Sequence, residues 1–348
     1  MSGRISLPSG RAKVAFLRRP GSYGPGLAAV ELIETHMAWV FLTGTEVWKL
    51  KKPVRKPYLD FSTLAARERT CRTEVRLNRR LAPGVYLGVV PLTQDRAGRM
   101  QLGGEGRVVD WLVRMRRLPL DLMLDHLIAE GSVPEAALDR LVRRLAEFYR
   151  TARRVRRPVE SYRRRLMEEI EFDRHALTSG NHGLPPARVG RLAETVLALI
   201  DDSKDLLAER VREGHIVEGH GDLRPEHICL GIDPVIIDCL EFNRELREVD
   251  PADELAYLAL ECARLGAPAV GRRILSGYQR ESGDRFPSRL VRLYTGFRAL
   301  LRARLAIEHT GDHRVRLGDQ WRTRSLAYLR LAEQSVLGPR PVRSRKGR

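Results

Sequence analysis

The first sustained pattern of apolar and polar positions begins at Ala38. There AWVFL and EVWKLK alternate with a period of two on either side of Thr43-Gly44-Thr45, which predicts a β-hairpin with a glycine at its tip. Ser62 then precedes a helical segment running to about Leu81, on which Cys71, Glu74, Asn78 and Leu81 share one stripe at i, i+3, i+7 and i+10. Apolar runs over 85–92 and 107–115, separated by QDRAGRM and GGEG, predict further strands. Beyond Pro119 the period lengthens, starting with LDLMLDHLIAEG. S-V-P-E at Ser132 reads as a capping box for a helix with the stripe Leu138, Leu141, Val142, Leu145 and Phe148. More helix is expected over 187–212 and 250–336, with short strands between 215 and 243. Residues 1–27 and the basic segment 338–348 lack periodicity and read as flexible ends. No internal repeat is present. The order is a small β-rich lobe over 28–115, a connector near 114–119, and a larger mainly helical lobe over 116–337: an α+β chain.

With 348 residues, 43% of them hydrophobic, the chain can bury one large core or two smaller ones, which excludes disorder, a disulfide-stapled miniprotein and a fibrous repeat. No window approaches eighteen consecutive apolar residues and the N-terminal stretch has no apolar signal core, so neither membrane spanning nor secretion is expected and a cytoplasmic location is the default. Cys71, Cys229, Cys239 and Cys262 show no metal-ligand spacing and read as reduced core residues. The net charge of +18 admits anionic partners. Without an RNA-binding motif or interleaved aromatic residues, nucleic acid is not expected among them. The basic stretch from Arg153 to Arg165 reads as a solvated helical face. Of 62 basic residues only seven are lysines, and Lys49, Lys51, Lys52 and Lys56 lie within eight positions. In an arginine-rich chain such a cluster suits a site that needs compact ammonium groups, as phosphate sites often do.

Candidate chemistry concentrates in His220-Gly221-Asp222-Leu223-Arg224-Pro225-Glu226-His227, followed by the apolar run Val235-Ile236-Ile237 that ends in Asp238. This spacing repeats the logic of phosphoryl transfer, in which one aspartate accepts a hydroxyl proton and a second holds Mg²⁺. Together with WVFLTGTEVWKLKKPV, LDFSTL, RLNRRLAPGVYLGVVPL, VRMRRLP, IDCLEFN and RALLRARLA, the segment resembles the aminoglycoside phosphotransferase and choline kinase-like family, closest to its bacterial members of unassigned substrate. The resemblance spans roughly residues 30 to 310 and implies a two-lobed protein-kinase-like fold. It also implies transfer of the ATP γ-phosphate to a hydroxyl of a small molecule, with Mg²⁺ as the metal. Some relatives of this kind carry a further C-terminal P-loop kinase domain; this chain has no G-x-x-x-x-G-K-[ST], so that activity is not expected of it.

By the same resemblance Asp222 is the catalytic base, Asp238 the main metal ligand and His220 a residue holding the catalytic loop. Lys49 and Lys51 are both candidates for the phosphate-binding lysine, because they share one face of a strand. Choosing Lys49 puts Val47 over the adenine and turns Trp48 and Leu50 to the core. Glu74, 25 residues on, lies on an apolar stripe where a carboxylate needs a partner, and Lys49 would supply it. Arg114-Met115-Arg116-Arg117-Leu118-Pro119 is the implied hinge whose backbone bonds adenine, and Thr43 and Gly44 would close over the phosphates. Glu241, Asn243, Asp250 and Asp253 match the family pattern, with Asp253 expected to anchor the catalytic loop. His227 departs from it, standing five residues after Asp222 where an asparagine would hold a second Mg²⁺. Imidazole suits Mn²⁺ or Zn²⁺ better. The site therefore uses one metal, or a different ion such as Mn²⁺, or is a nucleotide-binding pseudokinase. The acceptor has no motif; the basic charge fits a neutral or anionic hydroxylated metabolite better than a polycation.

Overall fold

In the computed structural model, which describes residues 7–56, 58–180, 182–308 and 318–336, the chain divides into two compact units. One consists of residues up to Met123 with His227–Leu246; the other of Leu124–Glu226 with the residues from Arg247 onward.

The first unit opens with a helix where the sequence reads as a flexible end. This helix, α1 (Gly10–Leu17), is capped by Ser9, whose Oγ accepts from Ala12 N at 3.2 Å. Leu17 is fully buried, and Lys13 Nζ donates to Val109 O (2.9 Å) and Asp110 Oδ2 (2.7 Å). Its order comes from that distant ion pair, which leaves no local periodicity to read. Then come β1 (Glu31–Glu34), β2 (Ala38–Leu42), β3 (Glu46–Lys51) and a short pair, β4 (Arg55–Lys56) with β5 (Leu59–Asp60). Helix α2 (Leu64–Asn78) is followed by β6 (Tyr86–Gln94), β7 (Met100–Leu102) and β8 (Arg107–Arg116). Thr63 rather than Ser62 caps α2, accepting from Ala66 N at 3.1 Å. The six-stranded antiparallel sheet runs β1-β2-β3-β8-β6-β7.

Alternation along β3 assigns its faces. Trp48 and Leu50 join Leu17, Phe41, Leu92, Val109 and Leu112 in one core, while Val47 packs with Cys71, Val75, Tyr86, Val113 and Met115 on the α2 side. Fully burying a side chain such as Leu50 or Leu112 contributes roughly 1.5–3 kcal/mol. Lys49 and Lys51 therefore project toward α2, whose buried stripe includes Cys71, Glu74 and Asn78.

The second unit is mainly helical: α3 (Leu124–Ala129), α4 (Glu135–Thr151), α5 (Val159–Ser179), α6 (Pro186–Asp202), α7 (Lys204–Arg212) and the short β9 (Val217–Glu218). Ser132 does not cap α4. Pro134 is the extended N-cap residue, so the helix begins two residues too late for the expected box. The expected helix over 187–212 is two helices that meet at Ser203. The chain then returns to the first unit with β10 (Ile228–Cys229) and β11 (Val235–Ile236), an antiparallel pair. Finally β12 (Glu248–Val249) pairs with β9, and α8 (Pro251–Arg264), α9 (Pro268–Ser282), α10 (Ser288–Glu308) and α11 (Gly318–Val336) follow. The basic stretch is more than a solvated face. Arg153 pairs with Glu218 (3.1 Å) and Arg157 with Glu248 (2.6 Å), tying the segment between α4 and α5 to the β9–β12 pair.

All four cysteines are buried free thiols. Among the described residues no helix is long and apolar enough to cross a membrane. The basic segment 338–348 lies outside the described residues.

Candidate active site

The sheet unit gathers a charged cluster on the α2 side of β3. Lys49 Nζ lies 3.0 Å from Glu74 Oε1 and 2.8 Å from Asp238 Oδ1. Lys51 Nζ lies 2.5 Å from Glu74 Oε2, 2.5 Å from Glu241 Oε1, and 5.2 Å from the centre of the Phe61 ring. Each oxygen of Glu74 thus serves one lysine, which explains a carboxylate on an otherwise buried helix stripe. Burial alone would lower the Lys49 ammonium and raise the Glu74 carboxyl. Asp238, Glu74 and Glu241 outweigh it for Lys49, which sits well above an ordinary lysine, and the two lysines hold Glu74 below an ordinary glutamate. The lysines differ in access: the Lys49 side chain is 17% exposed and that of Lys51 only 2%.

Asp238 has φ of +61°, the sole non-glycine residue in the left-handed region among those described. Three bonds over-determine that conformation. Asp238 N donates to Tyr86 Oη (3.1 Å), Cys239 N donates to Asn78 Oδ1 (2.9 Å), and Ile237 N donates to His227 O (2.9 Å). Asn78 in turn donates from Nδ2 to Glu74 O (2.9 Å), so one turn of α2 both pairs the lysines and holds the aspartate loop. The Asp238 side chain is 44% exposed. Burial would raise its carboxyl, but Lys49 and then His227 beside it hold it far below the ordinary range. His227 is buried, with Nε2 3.7 Å from Asp238 Oδ2. Among the described residues no group of three or more His, Cys, Asp or Glu side chains could hold a metal ion, and Asp238 and His227 form a pair of neighbouring donors.

The helical unit presents the His220–Glu226 segment. Asp222 Oδ1 accepts from Tyr257 Oη (2.9 Å), Oδ2 accepts from Arg224 Nε (3.0 Å), and Asp222 N donates to His220 Nδ1 (3.3 Å). Glu254 holds the loop from beneath, accepting from His220 N (2.9 Å), from Gly221 N and from Tyr149 Oη (2.9 Å). Burial pushes the Glu254 carboxyl up, opposed by the two loop amides. Gly219 is required there, because a Cβ would come within 2.5 Å of Glu254 Oε2. Gly221, at φ +91°, is required for its conformation. The adjacent Asp253 instead takes Arg298 in a bidentate pair, 2.7 Å on each side. The loop anchor is thus one residue beyond the position expected from the sequence.

No family model matches the chain. An uncharacterized protein of Mycobacterium tuberculosis and one of Mycobacterium bovis are each 35% identical over 285 residues, 79% of this chain and 54% of theirs. The chain spans about half the length of these curated relatives. Among solved structures, the GDP and kanamycin complex of APH(2")-IIia superposes with a TM-score of 0.55 at 16% identity, covering 92% of this chain and 98% of that one. The fold is that of the aminoglycoside phosphotransferases. A choline/ethanolamine kinase family protein from Mesorhizobium loti shares it, with a TM-score of 0.54 at 16% identity over 93% of this chain and 94% of that one. The expected α+β, protein-kinase-like architecture is therefore present.

On this phosphotransferase fold the residues singled out in the sequence fall into two groups. Lys49, Lys51, Glu74, Asp238 and His227 come together in the sheet unit, while His220 and Asp222 share a loop of the helical unit. Val47, Met115 and Leu118 belong to one apolar cluster, with Val47 opposite Met115 across β3 and β8. Strand pairing continues to Arg116, so the first half of the expected hinge is the end of a strand. Thr43 is buried, its Oγ1 donating to Glu46 O (2.9 Å) across the tight hairpin, and Gly44 is exposed. Sequence reasoning missed Asn78 and Tyr86 as supports of Asp238, and Tyr257, Arg224 and Glu254 as supports of Asp222. Asn78 alone gave a signal, an amide on an apolar stripe.

Proposed function

We propose that the chain is a phosphotransferase that moves the γ-phosphoryl group of ATP to a hydroxyl of a small molecule. The observation that carries this reading is the Lys49 ammonium held between Glu74 (3.0 Å) and Asp238 (2.8 Å). It places a fixed positive charge next to a half-exposed carboxylate, the combination needed beside nucleotide phosphates and their metal. The cluster of Lys49, Lys51, Glu74, Asp238 and Glu241 holds two ammonium groups and three carboxylates, a net charge of −1 that suits a divalent cation. Asp238 and His227 would hold that cation, Mg²⁺ or Mn²⁺, with phosphate oxygens and water completing its shell. When bound it would neutralise charge on the phosphates.

The remaining steps belong to side chains. Asp222 accepts the acceptor's hydroxyl proton. A carboxylate offers about four lone-pair sites, so Tyr257 and Arg224 can fix its orientation and leave room for a hydroxyl. His220 and Glu254 hold the loop and do not touch the reacting atoms. Val47, Met115 and Leu118 supply an apolar wall for adenine, the backbone of Arg116–Leu118 its hydrogen bonds, and Thr43 and Gly44 the cover over the phosphates.

The test is Asp222→Asn, followed by ATP turnover and, separately, by calorimetric nucleotide affinity. Loss of a positioned base is expected to cost about 10²–10⁴-fold in turnover and to leave affinity nearly intact, because the base acts on the acceptor and not on ATP. An equal loss of both would refute the assignment. Nucleotide binding without turnover in the unsubstituted protein, with either metal, would instead establish the pseudokinase reading that the His227 substitution motivates.

A further inference from the structure

We propose that the helical unit carries an anion-binding pocket between α8 and α11, and that it receives a phosphate or carboxylate group of the acceptor; the acceptor role rests on the phosphotransferase reading above. A cavity of about 500 Å³ lies there, lined by Arg264, Gln320, Trp321, Thr323, Arg324 and Ala327. Two guanidinium groups, an amide, a hydroxyl and an indole face it, with no carboxylate among the described lining residues. This is a donor set for an acidic group.

The charge around the cavity is unbalanced. The buried Glu261 carboxylate serves two arginines, Arg264 (2.6 Å) and Arg302 (3.3 Å), and also accepts from Tyr328 Oη (2.6 Å). Arg324 adds a third guanidinium, stacked on Trp321 at 5.8 Å. Arg264 and Arg302 lie over the Tyr328 ring at 5.9 and 5.8 Å, so aromatic faces hold the cations in place before any ligand arrives.

The same network leads to the candidate base. Arg302 also lies over the Tyr257 ring (5.9 Å), and Tyr257 donates to Asp222 (2.9 Å). Near the base carboxylate is in excess, because the single Arg224 pairs with both Asp222 and Glu226. Among these described residues Asp222, Glu226 and Glu261 offset Arg224, Arg264 and Arg302, which leaves the positive charge of Arg324 in excess at the cavity. From Tyr257 to Arg264 the α8 axis rises roughly 10 Å. The acceptor class is therefore a hydroxylated metabolite with an acidic group about 10 Å from the hydroxyl that reacts, and a polycation is disfavoured.

The first measurement titrates the full chain with inorganic phosphate and with succinate by calorimetry, comparing the parent protein with Arg324→Gln and Arg324→Lys. Saturable binding is expected, weakened about tenfold or more in Arg324→Gln, as for loss of a charge-assisted hydrogen bond. Arg324→Lys should recover part of it, and the stronger of the two probes identifies the acidic group. No saturable binding of either probe, or equal affinity in Arg324→Gln with an unchanged melting temperature, overturns the pocket. The second measurement follows ATP consumption with hexitol, hexitol phosphate, hexonate and kanamycin. Stimulation by an acidic polyol above the neutral one supports the acceptor role, and efficient kanamycin phosphorylation overturns it. Anion binding at Arg324 without any ATP turnover would end the phosphotransferase reading and the acceptor role together, while the pocket would stand.

Discussion

Lys49 and Lys51 share Glu74 but should fail in different ways when replaced by methionine, which keeps the stem and removes the charge. Lys51 is 2% exposed, and its two carboxylate partners, Glu74 and Glu241, are 0% and 8% exposed. Removing one member of a buried ion pair costs about 3–5 kcal/mol. Because Lys49 still neutralises Glu74 from the other side, the lower end applies, about 3 kcal/mol. At roughly 2–4 °C per kcal/mol the melting temperature should fall by roughly 6–12 °C. Lys49 is more open, its second partner Asp238 is 44% exposed, and Lys51 remains on Glu74. An ion pair of that kind contributes about 1 kcal/mol or less, which corresponds to a shift of roughly 2–4 °C. Turnover should rank the other way. On the proposed function Lys49→Met removes the charge that serves the phosphates, and losing such a group costs about 10²–10³-fold. Lys51→Met, assayed well below its melting temperature, should lose far less. Calorimetric melts and ATP consumption on both variants decide the matter. Equal melting shifts, or a larger turnover loss for Lys51→Met, would refute the division of labour.

His227 lies 3.7 Å from Asp238, so activity should be higher with Mn²⁺ than with Mg²⁺, and His227→Asn should reverse that preference in paired assays; an unchanged ratio would remove His227 from the metal site. Asn78→Leu keeps the stripe apolar but removes the acceptor for Cys239 N, so it should lower turnover about tenfold or more with little change in nucleotide affinity; retention of full turnover would mean the Asp238 loop holds itself. Burial would raise the Glu218 carboxyl, but Arg247 and Arg153 outweigh it and hold it at about 2. Because its folded value is depressed, its stabilisation is present above the ordinary glutamate range and is lost as pH falls toward 2. Glu218→Gln should therefore melt lower than the parent at pH 7, by roughly 2–6 °C, with the gap closing in acid; a gap independent of pH would sink this account.

Much of the architecture was legible because it is written in short-range periodicity. The two-residue alternation of Ala38–Lys51 set the faces of β3, and Glu74 on a stripe with Cys71 announced its need for a cation. What periodicity does not encode is order imposed from a distance. Lys13 finds Asp110 across 97 residues, and so an eight-residue helix stands where loose chain was expected. Lys51 finds Glu241 across 190 residues, and that bond gives it a second carboxylate besides the Glu74 it shares with Lys49. The choice between Asp253 and Glu254 as loop anchor turns on about 100° of helix rotation, and both residues are fully buried, so no pattern of polarity separates them.

The return of His227–Leu246 to the first unit bears on how the protein is made. On the ribosome the sheet and α2 emerge long before Asp238 and Glu241, since Leu124–Glu226 must be synthesised in between. At about 5–20 residues per second, the wait from Met123 to Leu246 is on the order of 6–25 s. During it Lys49 and Lys51 have only Glu74 to neutralise them, and the apolar cluster around Val113 lacks Val235 and Ile237. The nascent N-terminal half is thus an unfinished domain with its lysine pair half neutralised and its apolar cluster incomplete, and a fragment ending near Met123 should not fold on its own.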